Sequence, residues 1–113
     1  MVKISFFIPR ILSIAATDPS WGAGMQADLK VFAAMKAYGM SIVTAIVAQN
    51  TQCVCAFQVL DASFVADQID SVFENVHVDA VKIEIVANAQ IAQVIAERLV
   101  YLKPLLLFLI RLC

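Results

Sequence analysis

Three observations on this 113-residue chain predict an α/β fold with a mostly parallel sheet and helices on both faces. Short apolar segments alternate with segments whose apolar residues recur at helical spacing. The apolar segments lack the alternation of a half-exposed strand, which is typical of strands buried on both faces. Each helical segment is long enough for a right-handed crossover between parallel strands.

The elements follow in order along the chain. The first strand ends at the turn residues Thr17 to Ser20, and a helix begins beyond Gly24 and stops near Gly39. Asp61 is placed to cap a second helix, and Asn88 a third. The predicted strands are residues 11–16, 42–48, 54–60, 80–86 and 105–110.

Charge and hydropathy limit the function classes. Eight Lys and Arg face nine Asp and Glu without clustering, which argues against a nucleic-acid-binding surface. The uncharged stretch between Lys36 and Asp61 contains amides such as Gln49 and Gln58, for which lipid offers no partners. Pro9 and Arg10 interrupt the apolar start, so we expect no export signal and a cytoplasmic protein.

Isolated cysteine, histidine and lysine residues have structural interpretations. Cys53 and Cys55 suggest a metal site, but with a single distant histidine, His77, buried reduced thiols are the stronger interpretation. We expect His77 on the surface. Lys82, within a predicted strand, is expected to reach a carboxylate or to extend its ammonium to solvent at the strand end.

Ligands of open parallel sheets bind beyond the carboxyl ends of the strands, which directs attention to the loops that follow them. The first loop offers backbone N–H groups to an anionic substrate group, or is simply a turn capped by Asp18 or Ser20. Asp28 either favours the helix dipole or is a polar anchor at the loop. Gln49 either bonds to neighbouring backbone or donates to and accepts from a heteroaromatic ring.

The residues at these loops resemble a known family. Thr17-Asp18-Pro19-Ser20, followed by Gly22 to Lys30, resembles the N-terminal signature of hydroxymethylpyrimidine/phosphomethylpyrimidine kinases, which are thiamine-biosynthesis enzymes of the ribokinase-like fold. The resemblance covers roughly residues 11–102. Further segments match in register: 37–39, 44–45, 47–51, 70–73 and 81–83.

The resemblance implies a substrate and residues that bind it. It implies ATP- and Mg²⁺-dependent phosphorylation of 4-amino-5-hydroxymethyl-2-methylpyrimidine and then of its monophosphate, by an enzyme usually found as a dimer. On the matching positions, Gln49 and Asp28 would contact the aminopyrimidine and its substituents. Ala23 and Val47 would line the pocket. No catalytic residue and no metal ligand is assigned within this chain.

Four departures from the family involve glycine, which permits positive φ or close approach of backbone to ligand. Ala16, Trp21, Cys53 and Glu84 stand where the family prefers Gly. Trp21 would crowd the pyrimidine pocket and Glu84 would charge it, so we expect weakened substrate affinity.

The family carries its ATP site and a glycine-rich anion hole in its C-terminal part, beyond Cys113 of this chain. Residues 103–113 also diverge from the family pattern. We therefore interpret residues 1–113 as a single incomplete kinase-like domain, inactive by itself unless a second chain supplies the rest. The alternatives are a non-catalytic pyrimidine-binding module, an interaction module that pairs through its exposed sheet edge, or an inert remnant of a decayed gene.

Overall fold

The computed structural model describes residues 7–20, 22–84, 88–104 and 106–110. Strands and helices alternate for most of this length, apart from a run of three successive strands after the first helix. The elements are β1 (Arg10–Ala15), α1 (Gly24–Ala34), β2 (Tyr38–Val43), β3 (Ala45–Gln49), β4 (Val54–Val59), α2 (Ala62–Asn75), β5 (Ala80–Glu84), α3 (Ala89–Leu102) and β6 (Leu106–Ile110).

Four parallel strands form the main sheet, in the order β2-β1-β5-β6. In its register Ser13 of β1 lies beside Ser41 of β2 and Lys82 of β5. Because successive side chains of a strand point to opposite faces, these three residues share one face, on which α1 packs. The neighbouring residues face α2 and α3. The predicted α/β architecture with helices on both faces is confirmed.

The hydrophobic core lies between the sheet and the helices α2 and α3. The strands contribute apolar side chains from alternate positions, and each helix contributes one stripe at helical spacing. Burial of these side chains fixes the register of the strands, because a slip by one residue would turn each set toward the opposite face. The core residues are Leu12, Ile14, Ile42, Val65, Ile69, Val78, Val81, Ile83, Ile91, Ile95 and Leu99.

The prediction of one doubly buried strand over residues 42–48 is wrong. The chain leaves the parallel sheet at Val43, and β3 pairs in antiparallel fashion with β4 as a separate two-stranded sheet. Thr44 is the break: its N–H donates to the Ala15 carbonyl (3.0 Å) and its carbonyl accepts from the Leu60 N–H (3.0 Å). A continuous β-branched run does not distinguish one strand from two, because both are extended.

The helix boundaries agree in part with expectation. Asn88 caps α3 as predicted, its Oδ1 accepting the N–H groups of Gln90 (2.9 Å) and Ile91 (3.2 Å). Asp61 occupies the N-cap position of α2, but its side chain makes no capping hydrogen bond. Gly39 does not stop α1, which ends at Ala34.

Gly39 lies instead in β2, where a Cβ would meet the Phe32 ring at 3.1 Å. This glycine therefore allows α1 to approach the strand closely.

The last predicted strand is confirmed over Leu106–Ile110, where β6 pairs in parallel with β5. Residues 85, 86 and 105 of the predicted strands lie outside the described part, as do residues 111–113 of the divergent tail. Among the residues described, no helix is both long and apolar enough to span a bilayer.

Candidate functional site at the carboxyl edge of the sheet

The carboxyl ends of β1 and β2 meet the β1–α1 loop and the β3–β4 hairpin at one edge of the main sheet. Two hydrogen bonds fasten the hairpin to the loop. The Thr17 N–H donates to the Ala45 carbonyl (3.0 Å), and the Val47 N–H donates to Thr17 Oγ1 (3.0 Å). The start of β3 is therefore held directly against the loop that precedes α1.

Asp18 organises this loop from within. Its Oδ1 accepts the N–H (2.9 Å) and hydroxyl (2.6 Å) of Ser20, and its Oδ2 accepts the Ala23 N–H (2.8 Å). The Ser20 hydroxyl, helped by backbone N–H groups, lowers the pKa of Asp18 below its usual value, although burial opposes this. The N–H groups of Ser20 and Ala23 are thus already satisfied, which favours the capped-turn interpretation over an anion-binding loop.

Gly24 allows the chain to turn from this loop into α1. Its φ is +71°, and a Cβ at this position would stand 2.6 Å from the Ala16 carbonyl oxygen. The same oxygen accepts the Met25 N–H at 2.9 Å. A side chain at position 24 is therefore excluded by both backbone conformation and space.

Asp28 is buried on the inner side of α1, with 5% of its surface exposed. Its Oδ2 accepts the Ser13 hydroxyl at 2.7 Å, and its Oδ1 accepts a hydrogen bond from Lys82 Nζ. Asp28 is thus a polar anchor between helix and sheet. The prediction that Lys82 reaches a carboxylate partner is confirmed.

Lys82 has a second carboxylate partner, because its Nζ also lies 3.0 Å from Glu84 Oε1. Burial lowers the pKa of Lys82, but its hydrogen bonds to Asp28 and Glu84 outweigh that effect and raise the pKa above its usual value. The lysine therefore remains charged and compensates the charge of Glu84. Glu84 is part of this ion-pair cluster, not an isolated negative charge at the edge of the sheet.

The four residues assigned to the pyrimidine are distributed around this edge. Val47 and Gln49 are half-buried on one side of β3, whereas Ile46 and Ala48 are exposed on the other. Ala23, whose N–H binds Asp18, is exposed at the start of α1. Asp28 is attached to the main sheet rather than to the loop. Ala23 and Val47 are thus both hydrogen-bonded to the β1–α1 loop, and Gln49 lies on the same side of β3 as Val47.

Sequence reasoning missed Ser13 and Thr44. Ser13 is fully buried and binds Asp28, and the available signal was a lone hydroxyl in an otherwise apolar strand. The Oγ1 atom of Thr44 is buried without a hydrogen-bond partner, where β2 passes into β3. The hydrophobic pattern that predicted the strands does not indicate where a hydroxyl is buried without a hydrogen-bond partner, so Thr44 could not be identified from it.

The expectation of buried thiols at Cys53 and Cys55 is wrong, because both cysteines are exposed on the β3–β4 hairpin. An apolar neighbourhood in the sequence suggested burial, but β4 is exposed over residues 54–58 and reaches the main core only through Val59 at its end. His77 is exposed as predicted, with its Nε2 3.2 Å from Asp79 Oδ1. Trp21 lies outside the described residues.

A cavity of about 510 Å³ opens between α3 and the adjoining strands β5 and β6. Its described lining does not include Ala23, Asp28, Val47 or Gln49. The lining is mainly apolar and comes from α3, the ends of β5 and β6, and Thr44. This cavity therefore adjoins the edge through Thr44 and Glu84, although none of the four assigned residues is in its described lining.

Comparison with known proteins gives a consistent family. Residues 18–107 match the sequence model of the phosphomethylpyrimidine kinase family. The chain is 53% identical over 88 residues to the hydroxymethylpyrimidine/phosphomethylpyrimidine kinase of Escherichia coli K12, covering 78% of this chain and 33% of that protein. It is 52% identical over 81 residues to a thiamine biosynthesis multifunctional protein of Corynebacterium efficiens, covering 72% of this chain and 11% of that protein.

Solved structures agree with these matches. A phosphomethylpyrimidine kinase from Clostridium difficile 630 superposes with a TM-score of 0.86 at 44% identity, covering 89% of this chain and 44% of that one. A Bacillus subtilis pyridoxal kinase in complex with ADP gives 0.83 at 28% identity, covering 91% and 41%. The chain thus spans about a third of the length of the Escherichia coli kinase and less than half of the length of each of the two kinases of known structure.

Proposed function

Since the chain belongs to the phosphomethylpyrimidine kinase family, we propose that it provides the aminopyrimidine-binding part of such a kinase. The proposed ligand is 4-amino-5-hydroxymethyl-2-methylpyrimidine or its monophosphate. The observation that carries the proposal is the buried Asp28, which Ser13 and Lys82 hold against the central part of the sheet. A carboxylate fixed in this way is preorganised for a further polar contact.

The chemistry of the assigned residues supports this ligand. The Gln49 amide has both donors and acceptors for ring nitrogens and the exocyclic amine. Asp28 retains lone pairs beyond those used by Ser13 and Lys82, and these can accept a hydrogen bond from a pyrimidine substituent. Ala23 and Val47 supply apolar walls for a methyl-bearing ring.

Phosphoryl transfer requires a nucleotide and Mg²⁺. The Ser20 and Ala23 N–H groups of the β1–α1 loop are occupied by Asp18, which leaves them unavailable to phosphate. We propose, from the resemblance to the kinase family, that ATP and Mg²⁺ are bound by residues outside this part of the kinase fold.

Calorimetric titration of 4-amino-5-hydroxymethyl-2-methylpyrimidine into the full chain tests pyrimidine binding. We expect Gln49→Ala to weaken the affinity by roughly tenfold, the equivalent of about one to one and a half kcal/mol for a lost hydrogen bond. Gln58→Ala is the matched control, because it removes an exposed amide from the other strand of the same hairpin. Absence of binding by the unaltered chain, or equal affinities for both variants, would refute the assignment.

The effects of Trp21 and Glu84, which stand where the family prefers Gly, are tested in the same titration. Trp21→Gly is expected to strengthen binding if the indole crowds the pyrimidine. Glu84→Gly is expected to change the affinity less than removal of an unpaired carboxylate would, because Lys82 already compensates the charge of Glu84. Family-like affinity in the unaltered chain would contradict the expectation that these substitutions weaken binding.

A second candidate function is association with another polypeptide along β6. β6 is the outer strand of the parallel sheet, and Leu106 and Leu107 on it are each 53% exposed. An outer strand with exposed apolar side chains is a surface suited to strand addition. The proposed partner is a chain that contributes the remaining part of the kinase fold, and a second copy of this chain is the other possibility to be distinguished.

A kinase assay separates these possibilities. The chain is assayed alone and after mixing with a polypeptide corresponding to the remaining two-thirds of the Escherichia coli relative. Activity only on mixing supports a complementing partner, whereas activity of the chain alone contradicts it. Sedimentation of the chain by itself reports whether it pairs with a second copy.

A further inference from the structure

The β3–β4 hairpin carries two exposed cysteines whose sulfur atoms face each other. Cys53 Sγ and Cys55 Sγ are in direct contact, 2.7 Å apart. Both cysteines are accessible to reagents in solution. The pair is independent of the pyrimidine-binding proposal, since neither thiol is assigned to that ligand.

A β-bulge explains how two cysteines separated by one residue come so close. In a regular strand, residues i and i+2 stand about 6.6 Å apart, at the upper limit for a disulfide. Here Gln49 pairs with Val54 and Ala48 with Ala56, which leaves Cys55 as the extra residue of β4. A bulge bends the strand locally and so shortens this separation.

The turn preceding the bulge holds Cys53 in place. The Asn50 N–H donates to the Cys53 carbonyl (3.0 Å), and Asn50 Oδ1 accepts the Cys53 N–H (3.0 Å). Asn50 Oδ1 also accepts the Gln52 N–H at 2.8 Å. The backbone N–H and carbonyl of Cys53 are thus both held by Asn50, so closing the pair requires little loss of chain entropy.

We propose that Cys53 and Cys55 are a redox-active dithiol that is converted to an intramolecular disulfide by exchange with low-molecular-weight disulfides of the glutathione type. The thiolate of one cysteine attacks the small disulfide, forming a mixed disulfide and releasing one small thiolate. The second cysteine loses its proton, attacks the protein sulfur of the mixed disulfide and releases the second small thiolate. Two electrons pass from the protein to the small disulfide, which becomes two thiols.

The hydrogen bond with Cys55 raises the pKa of the Cys53 thiol above its usual value. A disulfide at an exposed bulge is also open to reduction, which makes the reaction reversible under reducing conditions.

The test uses the full chain carrying Cys113→Ser, so that the pair is the only source of thiols. The protein is equilibrated in buffers of reduced and oxidised glutathione, quenched with acid and analysed by intact mass spectrometry. We expect the mass to fall by two hydrogen atoms without a glutathione adduct, and reduced glutathione to reverse the change. Stable glutathione adducts, disulfide-linked dimers, or thiols that remain reduced in every buffer would overturn the proposal.

A further variant examines the role of the short distance between the thiols. Cys55→Ser combined with Phe57→Cys keeps two exposed cysteines but places them four residues apart, about 13 Å along a strand, and it should collect glutathione adducts instead of an internal disulfide. Internal disulfide formation by the displaced pair would show that the bulge geometry is not required.

Discussion

Lys82 on β5 donates a hydrogen bond to the carboxylate of Asp28 on α1, a residue 54 positions earlier in the chain. The contact links the central part of the sheet to the helix that covers it, and it leaves a buried carboxylate in a defined orientation. Lys82 is also paired with Glu84, so one cation serves two acidic groups. Stability and the proposed pyrimidine contact therefore depend on the same ammonium group.

Replacing Lys82 with methionine should destabilise the chain by about 3 kcal/mol, because Asp28 and Glu84 would be left largely buried without a cation. Urea unfolding followed by circular dichroism measures this change. Adding Glu84→Gln to Lys82→Met should recover part of the loss, since it removes one of the two uncompensated charges. A double variant no more stable than Lys82→Met would contradict this account.

The same cluster predicts a pH dependence at alkaline pH. The pKa of Lys82 in the folded chain lies above its ordinary value of 10.5, so its contribution to stability is complete below that value and is lost as pH rises through the raised pKa. The difference in unfolding free energy between the unaltered chain and Lys82→Met should therefore shrink above pH 10.5. A difference that stays constant through this range would argue against an ionic origin.

Gly24→Ala should destabilise the chain by about 2 kcal/mol or more, because a non-glycine residue at positive φ is strained and the new Cβ would strike the Ala16 carbonyl oxygen. The change is measured as a shift of the urea midpoint. Gly22→Ala is the matched control, since a Cβ there meets its nearest neighbour, Asp18 Oδ2, at an ordinary 3.5 Å. Equal effects of the two variants would be inconsistent with the strain at Gly24.

Asp18→Ala should loosen the β1–α1 loop, because the backbone N–H groups of Ser20 and Ala23 would lose their acceptor. Since the pKa of Asp18 is lowered, its contribution is present above the ordinary value of 3.8 and is lost as pH falls through the lowered pKa. The two proteins should therefore converge in stability in acid. Asp61→Ala, which removes a carboxylate without a capping hydrogen bond, serves as the control and should show a smaller loss at neutral pH.

Strands β1, β5 and β6 of the main sheet were predictable because each is a local pattern, whereas β2 was not. Leu12 and Ile14 belong to an apolar run, and the side chain of Asn88 satisfies the first N–H groups of the helix that follows it. The binding-site residues were assigned only through resemblance, since an amide at the end of a strand has several possible partners. Chemistry read from residue type therefore named Gln49 and Asp28 without specifying their surroundings.

The α/β class, the cap at Asn88 and the family signature are properties of neighbouring residues, so they can be recognised in the linear chain. The break at Thr44, the bulge at Cys55 and the pairing of Lys82 with Asp28 depend on where distant segments meet. Hydrogen-bond pairing and burial are satisfied between segments far apart in the chain, and hydrophobic periodicity contains no information on which segments those are. For that reason the charge cluster and the exposed thiol pair became visible only in the folded structure.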